Sequence, residues 1–183
     1  DECLPALPGS GGGADALAFG NGAGGGVIRV EAKDHIQVDG TICADAGRTW
    51  GLVGAASGGA GGTIRLKSRT FAGEQTGILT ARGGDIGATE EKRRMASGAG
   101  GGGRISVWTG DAVQRGLVIR RVGKYDAANE SAGCSFHGVA TATGGTNAVA
   151  QLPSATGATL NGGDGTVRFV HYLPPVGFIL GIR

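Results

Sequence analysis

Gly26-Val27-Ile28-Arg29-Val30, followed by Gly40-Thr41-Ile42-Cys43-Ala44-Asp45-Ala46-Gly47, decides how this chain is read. The first stretch, written G-x-[IV]-[RS]-[VLF], returns as Gly62-Thr63-Ile64-Arg65-Leu66, Gly103-Arg104-Ile105-Ser106-Val107 and Gly165-Thr166-Val167-Arg168-Phe169. The second, G-x-[ILA]-x-A-x-[GA]-G, returns at Gly77–Gly84 and Gly138–Gly145. The two alternate strictly along the chain, and they are called half A and half B below. A recurrence of this kind marks a repeat architecture.

Each half alternates with period two, the signature of a strand with one buried face. In half A, Ile28 and Val30, Ile64 and Leu66, Ile105 and Val107, and Val167 and Phe169 fall on one side. Arg29, Arg65, Ser106 and Arg168 fall on the other. In half B the inward set is Ile42 and Ala44, Leu79 and Ala81, Ala140 and Ala142, so the core narrows along the strand. A leads to B after 14 and 15 residues in the first two repeats, and after 35 in the third. The third therefore carries an insertion at about 110–135, holding Cys134 and the sequon at Asn129. B leads back to A after 22, 26 and 27 residues. These connections are Gly-rich and variable in length, as surface excursions are.

The pattern predicts an all-β fold: a parallel, β-helix-like solenoid with repeats of about 36 residues and Gly-rich loops. Halves A and B form two faces, and like strands stack about 4.8 Å apart over a continuous aliphatic core. A flat sandwich of the same strands is the runner-up. Some Gly runs are also candidates for polyproline-II-like segments, which pack closely only when backbone is bare. Three segments follow: a Pro- and Gly-rich lead at 1–25, which reads as the end of a preceding repeat, the repeats at 26–170, and an apolar tail at 171–183.

Composition narrows the function classes. Forty of 183 residues are Gly, each costing roughly 0.5–1 kcal/mol relative to Ala, so they must serve φ > 0 or close backbone approach. Only 5% are aromatic, which predicts a small aliphatic interior. A net charge of +2 does not point to nucleic acid or to a membrane surface, and no apolar run is long enough for a membrane-spanning helix. The start at Asp1-Glu2-Cys3 reads as a processed or excised piece.

Gly20–Gly25 fits G-x-G-x-x-G, but the dinucleotide fingerprint needs a strand before it and a helix after it, and here a Gly-rich lead precedes and a strand follows. His35, His137 and His171 share no metal-ligand spacing. Asp34, Asp39 and Asp45 lie near one another in sequence, and Asp85 and Asp164 sit in Gly turns; turn chemistry accounts for them, and Ca²⁺ is the alternative. Cys3, Cys43 and Cys134 have no zinc spacing. A Cys3–Cys43 disulfide with Cys134 left over is the preferred pairing of the three, because the lead must lie over the first repeat. Trp50 and Trp108 read as loop packing before sugar platforms, and Glu90–Arg94 as a charged loop tip.

Gly100–Trp108 resembles the GGGGGGRIAIYY-type block of certain Gly-rich extracellular repeats. Gly138–Gly145 resembles their GTISAYGG-type element, and Gly162–Phe169 their closing GGAGTIYL-type block, with Arg168 where an aromatic is common. Such repeats belong to large secreted or cell-surface proteins. The resemblance implies an extracellular structural or adhesive role, with no catalytic residues to carry over.

Three functions are therefore weighed. The first is a non-enzymatic structural module that associates end to end with itself, or with neighbouring repeats of one polypeptide, to form a filament. Its apolar tail, Val176, Phe178, Ile179, Leu180 and Ile182, is the segment expected to dock on the next unit, and Asn129 is its glycosylation candidate. The second is an adhesive module binding polysaccharide. In this reading the column Arg29, Arg65 and Arg168 is neutralised by an acidic glycan or by a neighbour's carboxylates. Otherwise the Arg heads splay into solvent while their stems cover the sheet. The third, a polysaccharide lyase or hydrolase on the same scaffold, ranks last because no carboxylate pair recurs between repeats.

Overall fold

The computed structural model describes residues 5–13, 22–49, 56–87, 97–110, 133–148 and 159–171. Among these residues there is no α-helix, and all strand pairing is parallel.

The half-A segments form one sheet from β1 (Val27–Glu31), β4 (Thr63–Lys67), β8 (Arg104–Thr109) and β12 (Thr166–His171), in the order β1-β4-β8-β12. Ile28, Ile64, Ile105 and Val167 lie in register, as do Arg29, Arg65, Ser106 and Arg168. The half-B segments form a second sheet from β3 (Thr41–Cys43), β6 (Ile78–Thr80) and β10 (Val139–Thr141). The inward sets of both halves meet in one hydrophobic cluster containing Ile64, Leu66, Leu79, Ala81, Ile105 and Val107. Period-two alternation thus sorts side chains as expected. Partner strands in the first sheet start 36, 41 and 62 residues apart along the chain (Val27, Thr63, Arg104, Thr166), so the register holds while the chain between strands lengthens.

The structure departs from the two-faced expectation by adding a third sheet between A and B: β2 (His35–Gln37), β5 (Thr70–Gly73) and β9 (Cys134–Phe136). These strands are only three or four residues long and lie too close to half A for a separate alternation to stand out. A two-stranded pair, β7 (Ser97–Gly98) and β11 (Thr159–Leu160), completes the set, with a ladder of single bridges through Thr49, Ile86 and Asn147. Cys134 is accordingly not part of an insertion. It pairs with Phe71 across the third sheet and packs against the core.

The interior is also not purely aliphatic. Phe71 has no exposed surface, and its ring centroid lies 5.2 Å from that of Phe136 and 6.3 Å from that of Phe169. Gly73, Gly77 and Gly138 surround Phe136, and a Cβ on any of them would strike its ring. Few aromatics are present, but three of the five Phe are concentrated at this point.

Only two described glycines, Gly110 and Gly133, use positive φ. Most of the others, Gly58, Gly59, Gly61, Gly62, Gly100 and Gly103 among them, are explained by close backbone approach, whereas Gly13, Gly26, Gly40, Gly98 and Gly163 have open space beside them. The hydrogen bonds of the close-packed set show how it is built. Ser57 and Ala60 donate their N–H groups to the carbonyls of Gly13 and Ser10, Gly58 and Gly61 donate to Gly98 and Gly101, and Gly62 donates to Ala44. Donors three residues apart thus point to the same neighbour. Gly22 and Gly25 repeat this toward Ser57 and Ala60, and Gly162 and Gly165 toward Gly145 and Ala142. A three-residue period with these donors directed to neighbouring segments is the pattern of a polyproline-II helix, which makes no internal hydrogen bonds. The Gly runs therefore form a bundle. Residues 44–47, 81–85 and 142–146, the ends of the half-B segments, are interleaved with it.

Candidate functional site

The outer face of the β1-β4-β8-β12 sheet carries the Arg column that the repeat points to. Alternation places Val27, Arg29 and Glu31 of β1 outward, then Thr63, Arg65 and Lys67 of β4, Arg104, Ser106 and Trp108 of β8, and Thr166, Arg168 and Val170 of β12. Arg29, Arg65 and Arg168 occupy one column with Ser106 between the second and third, as the repeat predicts. The column is not uniformly exposed. Arg29 and Arg168 are exposed, Arg65 is half-buried and Ser106 is buried.

Glu31, Lys67 and Arg104 belong to the same face and were not singled out from the sequence. The signal was available, because each stands two residues from a column position and so must point the same way. Glu31 accepts Arg29 at 2.6 Å and Lys67 at 3.3 Å. The hydrogen-bonded Arg29 guanidinium holds the Glu31 carboxyl below the usual carboxylate range, with Lys67 adding to the effect against partial burial. Burial lowers the pKa of Lys67, and Arg65 beside it lowers it further. Burial likewise lowers that of Arg65, with Arg29 contributing and Glu31 opposing. Arg65 forms no ion pair among the described residues, and its Nε is buried without a hydrogen-bond partner.

Trp108 also belongs to this region. It is buried, and its Nε1–H donates to the Ser106 hydroxyl at 2.8 Å, so it packs as part of strand β8 and not in a loop.

The aspartates bind backbone and side-chain donors across strands. Asp45 Oδ1 accepts from the Thr80 hydroxyl at 2.7 Å and the Arg82 N–H at 2.6 Å. Asp85 Oδ1 accepts from the N–H and hydroxyl of Thr146. Asp164 accepts from the Gly144 N–H, Asp39 from the Glu74 N–H and the Gln37 amide, and Asp34 pairs with Arg69. These acids therefore tie stacked segments together as well as shaping turns. Among the described residues no three His, Cys, Asp or Glu side chains converge on a point that would hold a metal ion.

The Thr146 N–H, followed by its hydroxyl, holds Asp85 below the usual range, despite some burial. A carboxylate with a depressed folded pKa contributes stability in full above its unfolded value, and that contribution drains as pH falls through the folded one. The expected result is a urea midpoint that is flat from neutral pH down to about 4 and falls below it, since ordinary Asp titrates near 3.9. An Asp85→Asn variant should show a shallower acid slope. An unchanged slope would mean that the Asp85–Thr146 contact contributes nothing.

Cys43 is exposed on β3, Cys134 is half-buried in the core with burial raising its pKa, and both thiols are free. Cys3, Trp50, Glu90–Arg94, Asn129 and the tail residues Val176, Phe178, Ile179, Leu180 and Ile182 lie outside the described residues. No family model, curated protein or solved structure matches the chain.

Proposed function

We propose that this chain is an extracellular structural module, a Gly-rich parallel β-solenoid whose repeats continue end to end into further repeats of the same polypeptide or of a second copy. The observation that carries the reading is Val30. It stands in the inward column with Leu66 and Val107, which are 0% and 1% exposed, yet Val30 itself is 39% exposed. The core is therefore open at the β1 end. Among the described residues β1, β2 and β3 each have a neighbour on one side only, and all three lie in the first tier. Unpaired strand edges beside uncovered apolar side chains form a template for another tier of the same cross-section.

The reading predicts concentration-dependent, unidirectional growth of the purified chain, seen as regular fibres in vitrified samples and as rising mass by light scattering. Val30→Glu places a charge on the exposed inward position and should block growth while leaving circular dichroism unchanged. Deleting residues 176–182 tests whether the apolar tail takes part. A wild-type chain that stays monodisperse at every concentration would remove self-assembly. Continuation within one longer polypeptide would then be the remaining form of the proposal, tested by fusing a second copy head to tail and measuring a gain in stability over the single chain.

A further inference from the structure

We propose that the outer face of the β1-β4-β8-β12 sheet docks an acidic polysaccharide, with Arg65 at the centre of the contact. This goes beyond the structural reading and does not rest on it, because all four strands belong to a single copy. The exposed charged residues of the face are Arg29, Glu31, Arg104 and Arg168, whereas Thr63, Ser106, Trp108 and Val170 are buried and the Thr63 hydroxyl donates to the Leu7 carbonyl.

Arg29, Arg65, Lys67 and Arg104 all face outward, and Glu31 is the only carboxylate in the outward positions of the four strands. Glu31 is already shared by Arg29 and Lys67. Arg65 stands beside Arg29 on the adjacent strand and Lys67 on its own, feels Glu31 without pairing with it, and has a buried Nε that donates to nothing. Stacked like charges in register are unfavourable unless an anion joins them. Arg29 and Arg65, on adjacent strands about 4.8 Å apart, bring two guanidinium groups to one sulfate or carboxylate group, Arg29 with the N–H groups that Glu31 does not take and Arg65 with its terminal nitrogens, since its Nε is buried. Arg104 lies on the next strand, diagonal to Arg65, and extends the contact across the strands to a second anionic group on the same polymer.

The surroundings favour a sugar polymer over nucleic acid. Binding of unpaired bases relies on exposed aromatic platforms, whereas Trp108, the aromatic residue among these outward positions, is buried and bonded to Ser106. The chain as a whole carries only +2, so its net charge alone gives little long-range pull on a polyanion.

The test is titration calorimetry of the full chain at low ionic strength with a heparin-type sulfated polysaccharide, polygalacturonate and neutral dextran, and with a single-stranded DNA oligonucleotide as a competing polyanion. Binding to the sulfated or the uronate polymer but not to dextran, weakening with added salt, is expected, and the two arms identify the anionic group. Arg65→Gln should weaken binding by roughly tenfold, the effect of losing a charged hydrogen-bond donor. Arg29→Gln with Arg104→Gln, both at exposed positions, should weaken it further without affecting the fold. Absence of binding to both acidic polysaccharides overturns the proposal, as does affinity unchanged in the double variant. DNA binding as tight as that of the sugars overturns the assignment to polysaccharide.

Discussion

A Gly100→Ala variant is expected to lose on the order of 3 kcal/mol or more, beyond the usual range for one added methyl group in a packed interior. The new Cβ would fall on the carbonyl of Gly59, and it would also lie 3.0 Å from the amide nitrogen of Gly84. Both are backbone, and neither is free to move. The Gly59 carbonyl accepts the Gly84 N–H at 2.8 Å, the Gly100 N–H is held by the Gly84 carbonyl at 3.0 Å, and the Gly100 carbonyl accepts from Gly145. Relief by a shift would break bonds on three sides at once. Gly26→Ala is the matched control. A Cβ there meets nothing within 4 Å, and Gly26 does not use positive φ. That substitution should be neutral, or stabilising by roughly 0.4–1 kcal/mol through the unfolded chain. Urea unfolding of the two variants side by side decides the matter. Equal stabilities would refute close packing as the reason for the glycines.

Phe71→Ala should cost about 3–5 kcal/mol, the range for emptying a fully buried aromatic site. Phe71 is in van der Waals reach of two other rings, and its sheet neighbours, Ile36 on one side and Cys134 on the other, are both smaller than the ring that would be removed. Phe71→Leu keeps part of the volume and should lose clearly less. A loss below 1 kcal/mol for the alanine variant in thermal or urea denaturation would mean that this cluster is not the packed centre described above.

Much of the architecture was legible in the sequence. Halves A and B are visible because Ile28, Ile64, Ile105 and Val167 sit in the same place within a four-times-repeated string. Their alternation gave both the inward core and the Arg29–Arg65–Arg168 column in the correct register. The third sheet was hidden because its inward positions do not repeat. Ile36, Phe71 and Cys134 occupy equivalent sites with three unlike side chains, and Val38, Gly73 and Phe136 do the same. There packing is shared between tiers, a large ring in one filling the space that a glycine leaves in the next, so no single string recurs. The candidate site was half legible. The column came from the motif, but the isolation of Arg65 depends on where Glu31 directs its oxygens, which alternation alone does not specify.

The uneven steps between register partners bear on what evolution or a designer can do with this chain. Closing a loop costs free energy only as the logarithm of its length, so lengthening a step from 36 residues to 62 adds roughly 0.5 kcal/mol. The ladder of paired strands is indifferent to that increment, whereas a single methyl group in the Gly bundle is expected to cost several times more. Novelty is therefore cheap between the strands and dear within them. Foreign segments such as epitopes, enzymes or recognition loops should graft into the connections of this chain while the glycine frame beneath them stays fixed.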